Sequence, residues 1–230
     1  MILNRLEFVL MNNPIRAALQ RHVEGRRFLR MGGPVRGGRA LEIGCGRGVG
    51  VELILDLFGA AVVDAFDLDP RMVARARRRL DSRGPRVRLW VGDAAAINAP
   101  DATYDAVFDF GIIHHVSNWR DALAEVHRVL RPGGRFYAEE PLAGLLNHPL
   151  MHRLFAHPVT DRFDASDFRD AMRASGLIVS REERLWQTMC WFVATKTASA
   201  PTPGAGLEAA EKSPASLPVP GPTRSTSTPR

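Results

Sequence analysis

Cysteine is scarce. The 230 residues hold two, Cys45 and Cys190. Two thiols exclude a disulfide framework and a four-cysteine zinc site. They fit a reducing compartment, and a cytoplasmic location is expected. Long apolar runs are also missing, since none approaches the ~20 residues that span a bilayer. The opening MILNRLEFVL carries Arg5 and Glu7 inside its apolar stretch, which argues against the core of a secretory signal. Lysine is nearly absent: of 31 basic residues only Lys196 and Lys212 are lysines, leaving 29 arginines. The net charge is +6 and the pI about 10.3. Abundant arginine, alanine, glycine and proline fit a GC-rich coding bias as well as they fit polyanion binding, so charge alone assigns no nucleic-acid partner. The eight arginines from Arg71 to Arg88 read as a solvated helix face and the strand after it.

What is present is ordinary globular composition, 45 % apolar and 24 % charged, in three parts. Residues 1–37 read as a helical cap. Ile2, Leu3, Leu6, Val9 and Leu10 recur at helical spacing. Asn13-Pro14 then supplies an N-cap and a first-turn proline for a second helix with Ile15, Ala18, Leu19 and Val23 on one face. A basic amphipathic membrane-surface element is the other reading of this segment. Residues 38–197 alternate strand and helix signals, which calls for crossover connections and a mainly parallel sheet covered on both faces. Strands are expected at Arg39–Ile43, Ala61–Asp67, Val87–Val91, Tyr104–Phe110 and Arg135–Glu139. Two further runs, Leu177–Leu185 and Thr188–Thr195, lack an intervening helix and read as a hairpin. Residues 198–230 hold seven of the 16 prolines and no apolar periodicity, the pattern of a disordered tail.

The chemistry-bearing residues sit at strand ends. The first strand runs into Leu41-Glu42-Ile43-Gly44-Cys45-Gly46-Arg47-Gly48, where glycines let a ligand approach the backbone. Val49 stands where a strict dinucleotide fingerprint needs glycine, and no Gly-Lys-Ser or Gly-Lys-Thr follows, so a Walker A loop is absent. Glu42 suits an ammonium group or the loop amides better than a pyrophosphate. Asp67 ends the second strand 23 residues after Gly44, where an acid accepts hydrogen bonds from ribose hydroxyls. Asp69 caps the helix begun by Pro70. Asp93, Asp109 and Glu140 end later strands, so five acids converge on one rim of the sheet, where ligands of open α/β sheets gather. His114 and His115 follow the fourth strand and could take a proton from a phenol, amine or hydroxyl. Glu140 is a candidate base or substrate ligand. His148, His152 and His157 contain an i, i+4 pair, but no third ligand is suitably spaced, so no metal is expected.

Taken in order, LEIGCGRG, FDLDP, VGDA, YDAVFDFGIIHHV and LRPGGRFYAEEP resemble the class I S-adenosylmethionine-dependent methyltransferases. The closest likeness is to the small-molecule branch, similar to ubiquinone and menaquinone biosynthesis methyltransferases. The resemblance covers roughly residues 38–197. It implies a Rossmann-like α/β fold with a seven-stranded sheet of order 3-2-1-4-5-7-6, strand 7 antiparallel, and helices on both faces. It also implies S-adenosyl-L-methionine as cofactor. Glu42, Gly44, Cys45 and Gly46 would surround its methionine part, Asp67 and Leu68 its ribose, and Asp93 and Ala94 its adenine. Phe110 would line the methionine side. Arg47 would either reach the cofactor carboxylate or point to solvent. His115, His114 and Glu140 are the catalytic candidates.

The expected reaction is methyl transfer to a small, hydrophobic acceptor. Leu142, Leu145, Leu146, Leu150, Met151, Leu154 and Phe155 would join residues 1–37 in a lid over the acceptor site. The rival readings are an RNA or protein methyltransferase, a nicotinamide oxidoreductase, and a non-catalytic S-adenosylmethionine-binding protein. The first lacks an Asn-Pro-Pro-Tyr-type element after the fourth strand, and the second is disfavoured by Val49 and Glu42. No specific nucleic-acid partner and no transmembrane segment are expected. Peripheral membrane contact and oligomeric state stay open.

Overall fold

The computed structural model of the chain describes residues 13–146 and 162–197. All of them belong to one unit, Met1–Ala198. The expected first helix, the histidines at 148, 152 and 157, much of the expected lid and the expected tail lie outside the described residues.

Seven strands form one sheet: β1 Arg39–Ile43, β2 Val62–Asp67, β3 Val87–Val91, β4 Tyr104–Phe110, β5 Leu130–Pro141, β6 Leu177–Leu185 and β7 Met189–Lys196. Their order is β3-β2-β1-β4-β5-β7-β6, as the motif order implied. The first five pair in parallel, and β7 runs antiparallel to both β5 and β6. Strand β6 therefore runs in the direction of β5, and the β6–β7 hairpin tip stands at the same end of the sheet as the carboxyl ends of the parallel strands.

Period-2 alternation assigns the faces. Leu41, Ile43, Val107, Phe136 and Phe192 point to one side, packed with helices α5 (Trp119–Val129) and α6 (Ala165–Ala174). Ala40, Val63, Ala65, Phe108 and Tyr137 point to the other. There they meet α3 (Val49–Asp56), α4 (Pro70–Leu80) and α2 (Gly25–Gly32). At the amino ends of the strands, buried Asp64 accepts from Arg39, Arg88 and the Tyr104 hydroxyl. One carboxylate thereby ties β1, β2, β3 and β4 together. At least six of the eight arginines between 71 and 88 have local partners, among them Asp69, Leu89 O, Glu52, Asp56, Ala60 O and Asp64. The dense basic stretch is in large part internal bracing.

The helical segment after Asn13 departs from expectation. Asn13 caps α1 (Pro14–Leu19), its side chain accepting from the Arg16 amide. A π-helical turn, Gln20–Glu24, then leads straight into α2. The apolar residues expected to be buried are outside: Ile15 is 80 % exposed, Leu19 46 % and Val23 47 %. Glu24 and Phe28 are buried instead. Phe28 packs edge-on against Phe110 and Tyr137, and polar side chains of that face have partners. Arg16 grips Glu24 with two short contacts of 2.7 and 2.6 Å and stands 3.9 Å from buried Glu139. Trp191 Nε1 donates to the same Glu139 carboxylate at 2.8 Å. The inward face thus joins a polar cluster, Arg16 and Glu24 with Glu139 of β5, beside the Phe28 ring contacts.

Candidate cofactor pocket

A cavity of about 270 Å³ opens at the carboxyl ends of β1, β2 and β4. Eight of the nine residues assigned to the cofactor by resemblance have a part in its wall on three successive strand ends: Glu42, Gly44, Cys45 and Gly46 after β1, Asp67 and Leu68 after β2, Asp93 and Ala94 after β3. Phe110 of β4 completes the set.

The glycine turn is held by side chains from neighbouring strands. Asp67 Oδ2 accepts from the Gly46 amide and Oδ1 from the Asp69 amide, both at 2.9 Å. Gly44 has φ +68, and a Cβ there would lie 2.5 Å from Ile112 Cγ2. That position requires glycine on both counts. Sequence reading stopped the glycine series at 48, but Gly50 matters as much. A Cβ on Gly50 would fall 2.0 Å from Glu42 Oε1, so the first turn of α3 leaves room for the carboxylate. The alternating glycines at 44, 46, 48 and 50 were the available signal.

Glu42 is 2 % exposed and its Oε2 has no hydrogen-bond partner. Burial, with the Asp67 and Asp109 carboxylates nearby, holds its carboxyl well above the usual range. Burial also raises Asp67, against the two amides that lower it. Around the glycine turn the wall is rich in acceptors, Glu42 and Asp67 above all. It suits a ligand that brings an ammonium group and vicinal hydroxyls to these two side chains, and it is a poor seat for a pyrophosphate.

The three catalytic candidates separate. His115 lies on the pocket wall. His114 and Glu140 do not reach it; they are packed behind it. Glu140, fully buried, accepts from the Ile113 amide at 2.6 Å, the His114 amide at 3.3 Å and His114 Nδ1 at 2.6 Å. Burial pushes His114 down to about 3, so the ring is neutral, hydrogen-bonded through Nδ1 to the Glu140 carboxyl. Glu140 braces the short 3-10 turn Ile113–His115 that presents His115. Asp109 is likewise sealed off, accepting from the Ile112 amide at 2.9 Å. Asp109 and Glu140 converge on the rim as expected but build its underside.

Residues that the motifs did not mark also contribute. Arg16, Ala17 and Gln20 of the inverted helix form one wall. Arg47, expected to meet a ligand or solvent, donates to the Asn13 carbonyl at 2.8 Å and so ties that helix to the glycine turn. Among the described residues, no group of His, Cys, Asp or Glu is arranged to hold a metal ion.

The paired acids at the end of β5 predict a pH effect. Burial raises Glu140 to about 7, and burial with the Glu24 carboxylate raises Glu139. Between about pH 5 and pH 7 the native state holds protons that the unfolded chain has released, so stability should fall as pH rises. His114 acts oppositely below its unfolded value of about 6.5, where acid favours the unfolded chain. Glu139→Gln keeps an oxygen for Trp191 and removes one raised group. Urea midpoints measured across this range should decline less in the variant than in the wild type, and equal slopes would refute the assignment.

Comparison with known proteins agrees with this geometry. Residues 40–134 match the family model of a methyltransferase domain. A probable S-adenosylmethionine-dependent methyltransferase of Mycolicibacterium smegmatis is 41 % identical over 101 residues, 44 % of this chain and 37 % of that protein. A demethylmenaquinone methyltransferase of Thermus thermophilus is 37 % identical over 103 residues, 44 % of this chain and 46 % of that protein. The match thus spans less than half the length of these curated relatives. Among solved structures, a SAM-dependent methyltransferase from Aquifex aeolicus superimposes with a TM-score of 0.65 at 17 % identity, covering 83 % of this chain and 97 % of that one. The PH0226 protein from Pyrococcus horikoshii does so at 0.66 and 21 %, covering 83 % and 95 %. These structures share the fold. The resemblance read from the motifs is borne out.

Proposed function

We propose that this chain is an S-adenosylmethionine-dependent methyltransferase acting on a small, hydrophobic acceptor. The observation that carries the reading is the buried, donor-starved Glu42 beside Asp67 in a pocket of matching acidity. Burial alone disfavours the Glu42 carboxylate, and a cation seated against it reverses that cost. A ligand with an ammonium group and a sulfonium supplies such charge, and a dinucleotide supplies the opposite sign. Glu42 and the glycine turn would hold the methionine part, Asp67 and Leu68 the ribose, Asp93 and Ala94 the adenine, and Phe110 the side nearest sulfur.

When bound, S-adenosylmethionine supplies an activated methyl group whose leaving group is a neutral thioether, so no general acid is required. The remaining work falls to the chain. Phe110, Ile112 and Val116 wall the pocket and exclude water. The Glu140-braced turn fixes the placement of His115 relative to the β1 loop. Alignment of this kind can lower a barrier by up to roughly 7–11 kcal/mol. His115 is the group placed to accept a proton if the acceptor must lose one. His114, neutral and held by Glu140, positions it.

The names of two relatives support an apolar acceptor: one is a demethylmenaquinone methyltransferase and another a fatty-acid O-methyltransferase. The test is methyl transfer from methyl-labelled S-adenosylmethionine in a lysate supplemented with the chain. Label is expected in the organic-extractable fraction. Label confined to precipitated RNA or protein would replace this reading with that of a macromolecular methyltransferase.

A further inference from the structure

The helix that walls the pocket is turned inside out, and its outer face is unexplained by the site. Arg16, Gln20, Glu24 and Phe28 recur every four residues and face inward. Ile15, Leu19 and Val23 recur at the same spacing and face solvent. A regular α-helix would rotate each row by about 40° every four residues. The wider winding of the π turn Gln20–Glu24 counters that drift. An exposed apolar row of this kind, beside the mouth of a pocket, marks a binding surface.

We propose that the Ile15–Leu19–Val23 face docks on a lipid bilayer with anionic headgroups, bringing the pocket mouth to the membrane surface. Charge selects this occupant. Arg26 and Arg30 are exposed farther along the same helix, placing positive charge beside the apolar row. A second copy of the chain would present the same sign, whereas an anionic surface presents the opposite one. Two more exposed apolar side chains stand at the same end of the sheet, Leu185 and Trp186 at the hairpin tip, the latter 87 % exposed. A short apolar row gives marginal membrane affinity alone, and apolar insertion together with basic attraction gives a usable one. No helix among the described residues is long and apolar enough to cross a membrane. Docking rests on the helix face; only its use, access to an apolar acceptor, rests on the methyl-transfer reading.

The test is co-sedimentation of the full chain with phosphatidylcholine vesicles and with vesicles also containing phosphatidylglycerol. Binding is expected to the anionic vesicles and to weaken with salt. The triple variant Ile15→Ser, Leu19→Ser, Val23→Ser should bind about tenfold or more weakly, as should the double variant Arg26→Glu, Arg30→Glu. None of these five residues lines the pocket, so S-adenosylhomocysteine affinity should hold in both variants. A wild type that stays in the supernatant overturns the proposal, whether a second copy or residues 1–12 cover the face. Equal sedimentation of wild type and both variants overturns it as well. A wild type that binds vesicles but not S-adenosylhomocysteine keeps the docking and defeats the methyl-transfer reading.

Discussion

Glu140→Ala is expected to destabilise the fold by about 3–5 kcal/mol, because it strips the Ile113 amide, the His114 amide and the His114 ring of an acceptor in a dry interior, at roughly 1–3 kcal/mol per orphaned donor. Those donors lie on the turn between β4 and α5, so loosening is concentrated beside the pocket. Glu140→Gln retains one oxygen for the Ile113 amide and should lose less. Denaturant titration of the two variants orders them. A Glu140→Ala midpoint close to wild type would mean that the turn is held by its own packing, and that Glu140 is free for another role.

Asp67→Ala carries the largest expected effect on ligand binding. The carboxylate already orders two amides, Gly46 and Asp69, and each oxygen keeps acceptor capacity for a ribose hydroxyl. Hydrogen bonds to a charged group contribute roughly 1.5–3 kcal/mol, so S-adenosylhomocysteine affinity should fall about ten- to hundredfold. The loss of the Gly46 contact adds disorder in the turn and pushes the result toward the upper end. Asp69→Ala is the contrast. Asp69 lines the pocket but spends its oxygens on Arg71 and the cap of α4, so its removal should act mainly on stability. Equal affinities for wild type and a folded Asp67→Ala protein would reject the ribose assignment.

The sheet was legible because its signals are local. Most of the parallel strands are short runs bounded by glycine, proline or an acid, and Arg39–Ile43, Val87–Val91, Tyr104–Phe110 and, in the hairpin, Leu177–Leu185 have the expected bounds. Strand β5 is longer than the expected Arg135–Glu139 because pairing extends through Pro132-Gly133-Gly134 to Leu130 and on to Pro141. The strand-end acids were legible as a set, since the parallel topology that delivers one delivers all. Their division of labour was not. Adjacent residues of a strand face opposite sides, so Glu139 meets Arg16 and Trp191 while Glu140 meets His114. Neither destination is encoded near those positions. The N-terminal helix failed for the same reason. Its pattern shows two faces, and the one that turns inward meets Glu139, Phe110 and Tyr137, residues about eighty or more positions away in sequence, contacts that periodicity does not carry. Gly50 was missed because the need for it arises only when Glu42 folds against α3.

Ligand choice by the acidic pocket is the central claim, and calorimetric titration of the full chain with S-adenosylmethionine, S-adenosylhomocysteine and NAD tests it most directly. Saturable one-to-one binding of both sulfur compounds, with no heat from NAD, is the predicted result. Tight NAD binding with no response to either sulfur compound would contradict it.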